Sequence, residues 1–459
     1  MLKKNDVLKL EITDITNLGF GVARFDGLVI FISGAVPGDT VKAKIIKVNK
    51  SYAVARTEEL ISASEHRCSS NCNYHLCKSC AYKELTYSYE LTLKQNTIKG
   101  AFAAEGLSHV KVNPTVPSPE AFRYRNKAQY PVSKTKDGDY VIGFYAPKSH
   151  RVTEAAACPL APEIFGEINE ALRDFFRKNA YSVYDEETGE GLIRHIYIRR
   201  GEKSGEILLV LVINGSTIPN RDELISLISK KFPSVVGILL NENKESTNVV
   251  LGEKYTLIYG RDYIKDTLSG IELKITAPSF YQVNHDATEL LYAKARELAA
   301  LKNEDTLLDL FCGIGSIGLS MAEDAGELIG IEIVPSAVEC AKENAKKAGL
   351  DNARFFVGDA AETEKLLSTA EKSLGKKIEP DVIILDPPRA GCDERLVKFA
   401  SRLEPKRIVY ISCNPTTLAR DVKRFADNGY VCSEVYGFDL FPHTGHVESV
   451  VCLTRRLDN

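Results

Sequence analysis

No run of apolar residues in this 459-residue chain is long enough to span a bilayer, and no collagen-like or low-complexity segment interrupts it. The opening MLKKNDVLKL lacks the apolar stretch of a signal peptide, so a cytoplasmic location without a membrane partner is expected. A disulfide framework is disfavoured on the same grounds. Eleven cysteines without an export signal point to thiols, metal ligands or catalysis in a reducing compartment. A strong charge of either sign is also missing, since 59 Lys and Arg stand against 62 Asp and Glu for a net charge of −3. The total therefore does not suggest a nucleic-acid binder, and phosphate recognition would rest on local clusters. Internal repeats are absent as well. With 44% hydrophobic and 26% charged residues, this length predicts a soluble globular chain of two or three domains.

Two basic clusters are present. Lys42, Lys44, Lys47, Lys50 and Arg56 fall between Thr40 and Thr57 without an acid. Arg123, Arg125, Lys127, Lys134 and Lys136 do the same between Ala121 and Lys136, interleaved with Phe122, Tyr124 and Tyr130. Either run alone also fits a solvated charged face; the aromatic spacing favours RNA only in combination with other signals.

Residues 1–60 alternate short β-rich runs (VLKLEIT, GLVIFI, TVKAKIIKV, YAVARTEEL) with Gly and Pro turns, which predicts a small β-barrel of the OB-like kind. Its GFGVAR and AVPGDTV segments resemble the TRAM domain that accompanies several RNA-modifying enzymes. A cysteine-rich loop follows from Cys68 to Cys80, and Tyr82 to Glu105 reads as a helix. Residues 61–275 form a central α/β region with β-rich runs ILLVLVI, VVGILL and YTLIYG and a helix near Pro162 to Asn179. From 276 to 459 strands and helices alternate regularly, as in a parallel α/β sheet.

The buried-type strand TLLDLF runs into Cys312-Gly313-Ile314-Gly315-Ser316-Ile317-Gly318, where glycines let the backbone approach a ligand over a helix start. The next strand, LIGIE, ends in Glu332, placed to accept hydrogen bonds from ribose hydroxyls. These residues alone fit a nicotinamide-dinucleotide Rossmann unit equally well. Downstream, the strand VIILD ends in Asp386-Pro387-Pro388-Arg389, a wall used by class I methyltransferases and of no use to a dehydrogenase. Amino-directed methyltransferases place a stacking aromatic after the prolines; Arg389 stands there instead, which leaves a ring carbon as the target.

The strand RIVYIS delivers Cys413-Asn414-Pro415 at its carboxyl end, the edge where open α/β sheets bind ligands. Carbon 5 of uracil is a poor nucleophile, so its methylation needs a thiolate to add to carbon 6 first. A base must later remove the carbon-5 proton, and Glu448 in His446-Val447-Glu448-Ser449-Val450 is the candidate. Taken singly, Cys413 also reads as a buried strand cysteine and Glu448 as a solvent-facing residue of an alternating final strand.

DLFCGIG, DPPRAG, YISCNP and HVESV, in that order behind PSFYQVN, resemble the RNA uracil-5-methyltransferase family. The resemblance implies S-adenosylmethionine as methyl donor. It makes Gln282, Phe311, Glu332 and Asp386 donor contacts, with Gly313, Gly315 and Asp359 beside them, Cys413 the nucleophile and Glu448 the base. It makes Phe280 a stacking partner for an extruded uracil, a position that an ordinary core aromatic could also fill. Arg125 and Lys127 are the expected RNA contacts.

Cys68, Cys72, Cys77 and Cys80 lie close together, and Cys158 is remote. A single CxxC with a distant Cys-Pro suits a four-thiolate iron–sulfur cluster better than a zinc ribbon. The ribosomal-RNA branch of the family resembles this, although its first two ligands are one residue further apart than Cys72 and Cys77. Cys72, Cys77, Cys80 and Cys158 are the expected ligands of a [4Fe-4S] cluster of structural role, with Cys68 in reserve and unliganded thiols as the alternative. Barrel and cluster together favour 23S ribosomal RNA as partner, with no DNA partner and a monomer as the expected state. The rivals are a tRNA uracil-5-methyltransferase and a non-catalytic RNA-binding protein.

Overall fold

In a computed structural model of the chain, residues 2–456 are described apart from Asn71, His75, Lys148, Ala361, Thr363 and Glu364. Residues 7–62 form a six-stranded sheet that buries Leu10, Ile12, Ile30, Ile32, Val41 and Ile45. Alternation of buried and exposed side chains along 40–48 is what a small barrel with one core requires. The ladder also revises the first basic cluster. The neighbouring strand sets Glu59 against Lys42 (2.6 Å) and Glu58 against Lys44 (3.5 Å), and Arg56 lies 3.8 Å from Glu58 on its own strand. Among the described residues of that run, Lys47 and Lys50 are left without an acidic partner.

The central region is a seven-stranded sheet with Lys127–Lys134 and Ile193–Arg200 paired in its middle. ILLVLVI, VVGILL and YTLIYG are its strands Ile207–Ile213, Val235–Glu242 and Lys254–Gly260, and the helix expected near Pro162 spans Glu163–Lys178. One face carries that helix over Tyr130, Ile196 and Ile198. The other shares a core with the C-terminal part, through Tyr197, Leu208 and Val210 against Ala277 and Tyr281. The aromatic interleaving of the second basic cluster is thus largely core packing, since Tyr124 and Tyr130 are buried.

The C-terminal sheet has eight strands in the order Ala353–Val357, Glu327–Glu332, Thr306–Leu310, Val382–Leu385, Arg407–Ser412, Glu448–Arg455, Tyr430–Phe438 and Lys111–Val112. The first five run parallel, Glu448–Arg455 runs against them, and Tyr430–Phe438 pairs antiparallel with it, as in a class I methyltransferase. The near-continuous apolar runs LLDL, VIIL and RIVYI follow from burial on both faces. The helical stretch expected after the glycine loop is a single turn, Ser316–Leu319, with a 3-10 turn at Ala322–Asp324.

The helix expected over 82–105 runs from Tyr87 to Ala104. Its start is delayed because the N–H of Tyr82 donates to His443 O (2.9 Å) and that of Thr86 to His66 O (2.8 Å). The helix and strand Lys111–Val112 pack on the C-terminal sheet although they precede the central sheet in sequence. Lys94 of this helix is fully buried and donates to Glu90 (2.6 Å), to Asp439 (2.6 Å) and to the carbonyl of Phe441 (3.1 Å). Among the described residues no helix is long and apolar enough to cross a membrane.

Candidate active site

Ser412, the last residue of Arg407–Ser412, pairs with Ser449 at the start of the antiparallel strand Glu448–Arg455. That register sets Cys413 and Glu448 at the same sheet edge from positions far apart in sequence. Asn414 caps the following helix by accepting from the N–H of Thr416 (3.1 Å), and Pro415 occupies its first turn. Cys413 is therefore held half-buried just ahead of a helix N-terminus, which favours negative charge. Burial pushes its thiol up and the Glu448 carboxylate adds to this, while a hydrogen bond from Arg389 opposes both. Arg389 also meets His446 Nδ1 at 3.0 Å, so one guanidinium links the loop ahead of Glu448 to the thiol.

Glu448 is buried, unlike the solvent-facing residue that strand alternation alone suggests. Burial raises its carboxyl to about 8, with Asp386 contributing and Arg389 opposing. Burial alone pushes the Asp386 carboxyl to about 7. Asp309, which none of the motifs singles out, is fully buried at the end of TLLDL. Its Oδ2 accepts from Gly318 N (3.0 Å), its Oδ1 has no partner, and burial with nearby Asp386 and Glu332 raises it to about 8. Its signals in the sequence are a polar residue inside an otherwise apolar strand and its place at the head of DLFCGIG, a motif read for its glycines.

Glu332 ends its strand as expected and accepts from the N–H of Gly313 (3.1 Å) and of Val334 (2.9 Å), so it shapes the glycine loop. Gly313 and Gly315 both have positive φ, and a Cβ on Gly315 would press on Phe355 at 3.1 Å. Phe311 adopts φ 69°, a left-handed conformation costly for an aromatic residue and found where a site overrides local preference. Asp359 follows strand Ala353–Val357 and is exposed beside the end of the Glu332 strand. Gln282 is buried, and its backbone carbonyl accepts from Asn126 Nδ2 (2.8 Å). Phe280 is 66% exposed, which sets aside the core-aromatic alternative.

Asp309, Glu332, Asp386, Cys413 and Glu448 gather at the carboxyl edge of the sheet. A group of mutually repelling carboxyls, one with an orphaned oxygen, matches a ligand that brings positive charge and hydrogen-bond donors. S-adenosylmethionine, with a sulfonium, an ammonium and ribose hydroxyls, fits that donor set.

The cysteines separate into two groups. Burial pushes the Cys80 thiol up to about 12, followed by Cys158 and Cys77, with Arg125 opposing and Cys72 contributing. Burial raises Cys158 as well, and Cys77 and Cys72 are among its neighbours. Cys68 lies apart, its thiol raised by burial and then by Glu84. Cys72, Cys77 and Cys158 are thus within electrostatic reach of Cys80, and none of them is among the groups acting on Cys68. Among the described residues, three ligand atoms come within 4.8 Å of one another only at His285, Asp286 and Glu289, so the thiols are spread more widely than a single-ion site. Arg125 is half-buried beside Cys80, Cys158 and Tyr124, and Lys127 lies on the strand that leads away from it.

A family profile described as tRNA (Uracil-5-)-methyltransferase matches residues 240–456, and that of the TRAM domain matches residues 2–57. The chain is 40% identical to an RNA methyltransferase of Halalkalibacterium halodurans over 98% of both chains. It is 37% identical to one of Clostridium acetobutylicum, over 99% of this chain and 98% of the other. Its structure is similar to that of Pyrococcus abyssi tRNA (uracil-54, C5)-methyltransferase in complex with S-adenosyl-L-homocysteine. That similarity has a TM-score of 0.77 and 28% identity, covering 97% of this chain and 100% of that one. With its sheet order, its donor site and these relatives, the chain belongs to the RNA uracil-5-methyltransferase family and is an S-adenosylmethionine-dependent RNA methyltransferase with an N-terminal TRAM domain.

Proposed function

We propose that the chain methylates carbon 5 of a uridine in 23S ribosomal RNA, with Cys413 as nucleophile and Glu448 as base. The observation that carries the catalytic assignment is the Ser412–Ser449 register, which brings the thiol and a buried carboxyl to one edge of the sheet. Cys413 gives its proton up to solvent, helped by Arg389 and the helix start, and its sulfur bonds to carbon 6 of the uracil. The electron pair of the 5,6 double bond moves to the carbon-5 side as an enolate. S-adenosylmethionine, when bound, supplies the methyl group to carbon 5. Glu448 then takes the carbon-5 proton, the double bond re-forms, and the carbon–sulfur bond breaks to release Cys413. In its ionised form a carboxyl raised toward 8 is a stronger base than an exposed one, which suits that proton abstraction.

Gln282, Phe311, Gly313, Gly315, Glu332, Asp359 and Asp386 form the donor site in this reading, Phe280 stacks on the extruded base, and Arg125 and Lys127 meet the RNA. Cys72, Cys77, Cys80 and Cys158 would hold a [4Fe-4S] cluster that ties the 64–84 loop to the central sheet. The grouping of these four thiols away from Cys68 supports the ribosomal branch. A tRNA substrate is the second reading, favoured by the likeness over 97% of the chain to an enzyme named for tRNA uracil 54. Methyl transfer to 23S rRNA fragments and to tRNA T-arm transcripts decides between them. The first reading expects label in the rRNA alone, and label confined to the T-arm overturns it.

A further inference from the structure

Lys127 and Arg199 are direct cross-strand partners in the central sheet, so their side chains leave the same face. That face looks toward the segment that carries Phe280 and Gln282. Tyr197 donates its hydroxyl to Ala277 O (2.9 Å), and Arg199 donates to Thr276 O (2.7 Å). The chain entering Lys127 runs alongside the same segment, since Arg125 bridges to Asn284 and the N–H of Asn126 donates to Val283 O (2.9 Å). Three cations, Arg125, Lys127 and Arg199, thereby lie on stretches of chain bonded to the segment that carries Phe280, whose ring is 66% exposed.

None of the three has a carboxylate partner among the described residues, although nearly every other half-buried arginine here has one or donates to several carbonyls. Arg199 is 1% exposed and its Nε has no partner; the Nε of Arg125 is also orphaned. Lys127 makes no hydrogen bond or ion pair among the described residues, and burial lowers its ammonium to about 8, followed by repulsion from Arg199 and then Arg125. Arg125 has the Cys80 and Cys158 thiols beside it, whereas Lys127 and Arg199 have no acidic partner among the described residues, and such uncompensated charge is costly and calls for an anion.

We propose that Lys127, flanked by Arg125 and underlain by the buried Arg199, is a phosphate seat that grips the RNA backbone at the nucleotide adjoining the extruded uridine. Lys127 makes the contact because it alone of the three is a flexible amine at the rim. Arg199 acts from beneath as a fixed charge, and its bond to Thr276 O ties the seat to the segment bearing Phe280. Backbone contact on this face holds the strand while the base turns out onto the Phe280 ring. The seat rests on the chain acting on RNA and holds for either RNA substrate.

The test uses the full chain and a single-stranded uridine-containing RNA oligonucleotide, with affinity measured across a salt series. Lys127→Met is expected to weaken binding several-fold and to lower the slope of log affinity against log salt by about 0.7, the counterion release of one single-strand phosphate contact. Lys127→Arg is expected to keep the slope. Binding of S-adenosylhomocysteine by Lys127→Met, unchanged from the unsubstituted chain, checks that the fold and donor site survive, independently of methylation. In a second arm, amine acetylation mapped by mass spectrometry is expected to show Lys127 protected by the oligonucleotide and Lys254 on the far edge strand unprotected. An unchanged salt slope in Lys127→Met, or acetylation of Lys127 unaffected by saturating RNA, would overturn the seat.

Discussion

At the scale of single residues, the site is a set of carboxyls held in the wrong charge state for water. The Glu448 carboxyl is raised from 4.5 to about 8, so the folded chain keeps a proton that the unfolded chain gives up. Stability contributed by that proton is whole below pH 4.5 and is lost as pH rises through 8. Glu448→Gln has no such proton to lose. In urea unfolding it is expected to gain on the unsubstituted chain between about pH 5 and pH 9, by up to a few kcal/mol, since each tenfold change in proton affinity is worth about 1.4 kcal/mol. An advantage equal at both pH values would contradict the burial argument. Cys413, Asp386 and Glu332 were legible in the sequence because each ends a strand that reads as buried. The burial of Glu448 was not, because period-two alternation places it on the open face; the strand is covered on both sides by helices that the local pattern does not reveal. Asp309 was hidden similarly, within a motif read for its glycines.

At the scale of elements, the helix Tyr87–Ala104 acts as a strap across the catalytic sheet. Lys94 joins Glu90 on the helix to Asp439, and Glu90 in turn accepts from the N–H of His443 (2.8 Å). The segment 439–446, which leads into Glu448, is thus gripped from the helix side. The barrel grips it from another, since a Cβ on Gly445 would lie 2.6 Å from the backbone of Asn17. Removing the lysine leaves two buried carboxyls without a cation. Lys94→Met is expected to cost about 3–5 kcal/mol in urea unfolding, and a loss below about 1 kcal/mol would show that the network is not built as described. The helix itself could be read from the sequence within a few residues. Its role could not, because Lys94 and Glu90 read as an exposed i, i+4 pair until the distant Asp439 closes over them.

At the scale of the whole molecule, barrel, cysteine loop and catalytic sheet meet around one edge. Arg67 links Asp39 of the barrel (2.6 Å) to Glu84 ahead of the strap helix (2.7 Å), and Asp39 is fully buried. The order of parts was legible from motif spacing, whereas their meeting depends on contacts between segments hundreds of residues apart. If Cys72, Cys77, Cys80 and Cys158 hold the cluster, anaerobically purified protein is expected to be brown, with about four irons per chain; one zinc and no iron would refute that assignment. Of the barrel lysines, Lys47→Ala with Lys50→Ala is expected to flatten the salt dependence of RNA binding more than Lys42→Ala, whose charge already faces Glu59. An equal effect would mean that the ladder pairing does not matter. The central claim is that Cys413 forms, and Glu448 allows the breaking of, a bond between enzyme and RNA. Its most direct measurement is a denaturing gel of each variant incubated with RNA and methyl-labelled S-adenosylmethionine. Glu448→Gln is expected to run as a labelled, shifted enzyme–RNA band, and Cys413→Ala is expected to give neither band nor product. Near-normal turnover by Glu448→Gln, or a labelled adduct on Cys413→Ala, would contradict the account.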